Sequence, residues 1–309
     1  LLAYYSPSFE ILLIARAFQG FVACATFVVA FAIVRDKYGS ERSGQMITYI
    51  NGIVCFIPAM APILGAWLTV QFGWRMNFMF LTAFAILGLI VTLFFFRETR
   101  PADSHYQGHI LDLRRFTPII KTPVFLFNSL ICMVSMSAIL VYVTLAPGWL
   151  ITHLGGTVAD FTFWFTLNAV ISIVASFILP TYIKRNSQRA LRVGVSVLVF
   201  SGILMLALSG IETAFALMLP ILIAALGFAL SLGSAAGMSL SSFPKQAGTA
   251  SALLGAMQMS GASILVVLTQ YLGLSTPWLI AFHLLLLVPL WLILMSKKAH
   301  SLHPAKSTQ

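Results

Sequence analysis

The sequence has 309 residues, of which 60% are hydrophobic and 8% charged. A soluble protein of this length needs about a quarter of its residues charged to cover its surface, so a soluble globular fold is excluded. The formal net charge of +10 would suit nucleic acid in a soluble protein, but here the basic residues lie in short connections between apolar runs. There they face anionic lipid headgroups, so a bilayer and not a nucleic acid is the expected partner.

The chain opens Leu1-Leu2-Ala3-Tyr4-Tyr5, with neither the basic lead nor the cleavage site of a signal peptide. It reads as the tail of an apolar helix, and the sequence is expected to be a fragment. Nine complete spans follow, at 11–34, 46–72, 78–96, 124–146, 161–183, 193–209, 213–237, 249–272 and 278–296. Each is close to the ~20 residues a helix needs to cross the hydrocarbon core. None alternates with a period of two, so a barrel is excluded in favour of helices. Cys24, Cys55 and Cys132 sit inside these runs without metal or redox spacing and read as inert packing residues. No cofactor or metal site is expected.

Every second connection is basic. Arg35, Lys37 and Arg42 lie in the first, Arg97 to Lys121 in the next, Lys184 to Arg192 in the third, Lys245 in the fourth, and Lys297, Lys298 and Lys306 in the tail. The intervening connections hold only Arg75, and Arg16 alone is inside a span. This asymmetry supports the span count and places the basic side, with the C-terminus, in the cytoplasm. The longest connection, 97–122, contains Pro101 and Pro118 and divides the chain into 1–96 and 123–296, with a basic tail at 297–309. Six spans follow it and three complete spans precede it. A weak repeat agrees: Gly44 and Gly52 open one span as Gly248 and Gly255 open another.

All eight acidic residues fall in connections or at span ends. Arg16 is the charge that does not. Burial at bilayer depth costs at least about 2.5–3.5 kcal/mol, so it is expected to face a polar cavity or a partner, unless it snorkels to the headgroups. Gln19 is three residues on, on the same face, and Gly20 leaves room for another backbone. Asn51, Pro58, Pro62 and Gly65 share one span, where two prolines four apart remove helix hydrogen bonds and bend it. That bend serves packing or a rocking pivot equally well. Tyr142, Asn168 and Gln258 are polar groups inside spans, fit either to line a cavity or to bond between helices. His283, mid-span in the last helix, reads as a hydrogen-bonded packing histidine in preference to a proton relay.

Several segments, taken in order, resemble the major facilitator superfamily and within it the Bcr/CflA group of drug:proton antiporters. Ala15-Arg16-Ala17-Phe18-Gln19-Gly20 is similar to the R-x-x-Q-G pattern of the family's fourth helix, and Pro58-Ala59-Met60-Ala61-Pro62-Ile63-Leu64-Gly65-Ala66 to its fifth-helix antiporter motif. Gly73-Trp74-Arg75 and Glu98-Thr99-Arg100-Pro101 match the flanks of the sixth helix, and Ala247-Gly248-Thr249-Ala250-Ser251-Ala252 the start of the eleventh. The fifth-helix motif departs from the usual Gly-Pro-x-x-Gly-Gly at Ala61 and Ala66.

The resemblance implies an all-α membrane protein with nine complete helices of an expected twelve. Residues 1–96 would be the rest of the N-terminal six-helix bundle, from the end of helix 3 to helix 6. Residues 97–122 would be a central cytoplasmic loop and 123–296 the C-terminal bundle. It implies a monomeric multi-pass protein of the bacterial inner membrane that exports lipophilic, multidrug or chloramphenicol-like compounds in exchange for protons. Arg16 and Gln19 would serve proton coupling, Pro58, Pro62 and Gly65 conformational coupling, and Asn51, Tyr142, Asn168 and Gln258 the drug. A uniporter or importer of a small metabolite on the same fold is the alternative, and an enzyme is not expected.

Overall fold

The computed structural model describes residues 1–95, 113–243 and 246–296, and leaves aside the side chains at most positions between 24 and 62. Among the described residues every regular element is helical. The chain forms two compact units, Leu1–His109 and Ile110–Gln309.

In the first unit α1 runs from Phe9 to Phe72 and α2 from Met76 to Phe95. Ser8 starts α1 as an N-cap, its side-chain oxygen accepting from the Ile11 N–H at 3.5 Å. The spans expected at 11–34 and 46–72 both lie in α1, and the connection expected between them is helical instead. The reason is local. Residues 35–45 are rich in Arg, Lys, Glu and Gln, good helix formers, and their glycines weaken a helix without stopping it, whereas no proline falls there. At 1.5 Å per residue α1 would be about 96 Å long, some three times the hydrocarbon thickness. Only the apolar stretches on either side of the charged segment are therefore fit to cross a bilayer. Gly73, with φ +85°, makes the turn into α2 that a side chain would strain.

In the second unit a short helix, α3 (Thr117–Ile120), leads into α4 (Pro123–Pro147), which widens into a π-helical segment at Gly148–His153. Then come α5 (Val158–Arg185), α6 (Ser187–Leu208) and α7 (Ala214–Ser241). The eleventh expected helix is built from α8 (Ala247–Ala256), a π-helical segment at Met257–Gly261 and α9 (Ala262–Gln270). The last span is α10 (Thr276–Leu285) and α11 (Val288–Met295). Pro289 lacks an N–H for the Leu285 carbonyl and its ring crowds that oxygen, so the helix is interrupted at Leu286 and Leu287. Seven helical stretches among the described residues are long and apolar enough to cross a membrane, and they coincide with the last seven of the nine expected spans.

Polar caps fix where these helices start. Thr157 and Asp160 form a reciprocal box at α5: the Thr157 N–H donates to Asp160 Oδ2 at 2.9 Å and the Asp160 N–H to Thr157 Oγ1 at 3.1 Å. Asn186 accepts from the Arg189 N–H at 3.0 Å and Thr213 from the Ala216 N–H at 3.2 Å. The core of the unit is a continuous apolar cluster including Phe125, Ile131, Leu198, Met205, Leu217 and Ile280. Helices α6 and α7 touch through glycines: a Cβ on Gly194 would stand 2.8 Å from Leu230 Cβ and from the Ser231 nitrogen. Such contacts let helices associate in lipid, where the hydrophobic effect does not drive them together.

Candidate functional site

Arg16 lies on α1, where its Nη1 donates to Gln19 Oε1 at 2.8 Å. The three-residue spacing thus brings the two side chains together as expected. Arg16 is exposed and Gln19 half-buried. Gly20 has nothing within 4 Å of where a Cβ would stand, so the close backbone approach expected there is not formed among the described residues.

Gly65 meets the start of α2, where a Cβ would lie 3.5 Å from Asn77 Oδ1. Asn77 donates from Nδ2 to Thr69 Oγ1 at 2.8 Å and to the Trp74 carbonyl at 3.0 Å, tying the two helices across the Gly73 turn. Beside it Arg75 lies over the Trp74 ring at 4.7 Å and donates from Nη2 to the Ser6 carbonyl at 3.2 Å. The helix continues through Pro58 and Pro62 without interruption. The side chains of Pro58, Pro62 and Asn51 lie outside the described residues.

Three more expected site residues are in the second unit. Tyr142 on α4 is 5% exposed, and its ring stacks on Phe165 of α5 with centroids 4.9 Å apart. Its hydroxyl has no hydrogen-bond partner, nor has the buried Oδ1 of Asn168, one turn beyond Phe165. Leaving such a group unpaired costs about 1–3 kcal/mol, which marks both as groups with unused capacity on facing helices. Gln258 is half-buried in the π-helical segment Met257–Gly261, a form of helix that concentrates at functional sites. Cys132 is free and buried, as its apolar setting suggested.

Two arrangements are not evident from sequence. A cavity of about 260 Å³ lies at the ends of α5 and α7 away from the basic connections, lined among others by Leu150, Asp160, Trp164 and Glu212. At its edge His153 lies 3.4 Å from Glu212 and stacks on Trp149 at 3.9 Å. The other arrangement is around His283, which is fully buried, with Nε2 2.7 Å from Thr269 Oγ1 and Nδ1 2.8 Å from Ser137 Oγ. No sequence signal singles out the second, since each apolar run carries several hydroxyls and Ser137 is 146 positions from His283.

A family model described as "Major Facilitator Superfamily" matches residues 1–266. The chain belongs to the Major Facilitator Superfamily. Within it, the chain is 32% identical over 269 residues to the "Multidrug resistance protein MdtL" of Klebsiella pneumoniae (strain 342), covering 85% of this chain and 66% of that protein. It is 32% identical over 263 residues to the protein of the same name in Salmonella heidelberg (strain SL476), covering 84% and 65%. For Salmonella paratyphi A (strain ATCC 9150 / SARB42) the values are 33% over 265 residues, covering 84% and 65%. The chain thus spans just under two thirds of the length of these superfamily members. Membership agrees with the helical, multi-pass architecture and with the resemblance drawn from the ordered motifs.

Proposed function

We propose that this chain is the larger part of a secondary active transporter that exports lipophilic drugs across the bacterial inner membrane in exchange for protons. The observation that carries the reading is its 32% identity, over 85% of its length, to a multidrug resistance protein of its own superfamily. Protons moving inward drive the drug outward. The protein acts as a monomer, with its basic connections and C-terminus in the cytoplasm.

Arg16 and Gln19 take the part of proton coupling. Their hydrogen bond orients a permanent charge within an apolar helix, and such a charge favours loss of the proton from a nearby acid. The stretch Pro58–Gly65 takes the part of conformational coupling, because Gly65 and Asn77 allow α1 to approach α2 closely at that point. Tyr142 and Asn168 contact the drug. Their unpaired polar atoms beside the Tyr142–Phe165 stack offer both an aromatic face and hydrogen-bonding capacity. Asn51 and Gln258 are further substrate contacts.

The test is efflux of ethidium or chloramphenicol by the complete transporter that carries this chain. Efflux is expected to collapse when a protonophore removes the gradient, and Arg16→Gln is expected to slow it at least tenfold at normal protein levels. Efflux unchanged by the protonophore would point instead to a uniporter.

A further inference from the structure

We propose that His283, held by Ser137 and Thr269, is a proton-binding site of the second unit, at which a coupling proton is carried through the membrane. The proposal deepens the antiport reading and rests on it. A coupling site requires a group that titrates inside the membrane. Among the described residues all acids lie at helix ends or outside the spans, and among them too His283 is the one imidazole buried within a span. Imidazole is the side chain whose ordinary titration lies nearest neutral pH.

The surrounding hydrogen bonds suit both states of the ring. Ser137 Oγ donates to the Val134 carbonyl at 2.7 Å, and Thr269 Oγ1 lies 2.9 Å and 3.0 Å from the Leu265 and Val266 carbonyls. With both hydroxyl hydrogens on their own helix carbonyls, both oxygens present lone pairs to the ring. That is the complement of an imidazolium, which donates from Nδ1 and Nε2. When the proton leaves one nitrogen, the hydroxyl facing it rotates about its C–O bond and donates to that nitrogen. One N–H bond breaks, the proton passes to a water molecule admitted when the surrounding helices part, and one hydroxyl hydrogen turns to take its place at the ring nitrogen.

No charged side chain among the described residues holds the proton permanently. Helices α4 and α6 pack on α10, and α9 supplies Thr269. On α6, Arg189 and Arg192 are in the first turns, at least ten residues from Gly202, which meets Leu284. On α4, Cys132 and Tyr142 are each five residues from Ser137, which turns them about 140° from it around the helix. Helix α9 has no titratable side chain, and Tyr271 lies beyond its end.

The helices that carry the site are interrupted near it. His283 lies three residues before the break at Leu286, and Thr269 follows the π-helical segment Met257–Gly261. That segment packs on α4, with Gly261 so close to Met133 that a Cβ would stand 2.6 Å from its sulfur. Interrupted helices around a buried polar group are a setting of coupling-ion sites in transporters. With His283 sealed from solvent, the proton enters and leaves when these helices part.

The test reconstitutes the complete transporter in liposomes with a pH-sensitive dye inside and follows proton movement on adding ethidium or chloramphenicol. His283→Gln is expected to reduce drug-driven proton movement at least tenfold while downhill drug equilibration persists. Thr269→Val is expected to shift the pH profile of exchange, and Thr269→Ser to leave it as in the wild type. Wild-type coupling in His283→Gln overturns the proposal. Should that variant fail to fold, a pH profile for Thr269→Val identical to that of Thr269→Ser overturns it instead. If the wild-type protein moves drug without moving protons, the antiport reading fails and this site falls with it.

Discussion

Helix α2 in the first unit and α6 in the second are of nearly equal length, 20 and 22 residues, and both are apolar enough to span a membrane. Yet no residue of α2 is buried within the structure, whereas nine of α6 are. The difference lies first in the neighbours each helix has: α6 packs against α5, α7, α10 and α11, whereas among the described residues α2 packs chiefly against α1. Helix α6 carries Gly194 and Gly202 where a neighbour must come close, and Ser196 where the Trp291 indole N–H can donate at 2.8 Å. Gly88 of α2 has nothing within 4 Å of where a Cβ would stand. In lipid, small residues and isolated polar groups set which face meets protein, because apolar side chains are as well accommodated by acyl chains.

The sharpest way to break that contrast is to fill the glycine contact. Gly194→Val or Gly227→Val is expected to cost about 1–3 kcal/mol through overpacking against backbone and Leu198, seen as a lower melting temperature of purified protein in detergent. Gly88→Ala is expected to do the opposite, gaining about 0.5–1 kcal/mol from helix propensity with no clash. If Gly194→Val and Gly88→Ala shifted the melting temperature alike, the glycine contact would not be what holds α6 to α7. Trp291→Phe removes one half-buried interhelical hydrogen bond and is expected to cost about 0.6 kcal/mol, near the average for such bonds in membranes. Tyr142→Phe is expected not to lower stability and to raise it by up to about 1–3 kcal/mol, because it removes a buried hydroxyl that has no partner. A severalfold rise in the drug concentration giving half-maximal efflux, with no fall in melting temperature, would tie that hydroxyl to substrate.

The last seven spans were legible because ~20-residue apolar runs admit only one structure in lipid. The basic connections fixed the same boundaries independently. The continuous helix through Arg35–Arg42 was not legible, since a charged stretch marks a connection and a solvated helix alike, Arg, Lys and Glu being good helix formers. The Arg16–Gln19 bond followed from spacing along one helix. Ser137 and Thr269 around His283 did not, because their meeting depends on how three helices rotate about their axes. The same holds for Asp160 and Glu212, which read as connection acids and instead line one cavity.

The π-helical segment at Met257–Gly261 has a consequence for the length of the gene as well as for packing. A π turn holds one residue more than an α turn, so it is equivalent to a single inserted residue absorbed locally. Deleting one residue within the segment is expected to restore a regular spiral and leave everything after it facing as before. The same deletion two turns later would swing Thr269 about 100° around the helix and off the His283 ring. Within this span, a codon can be lost at one place and not at another.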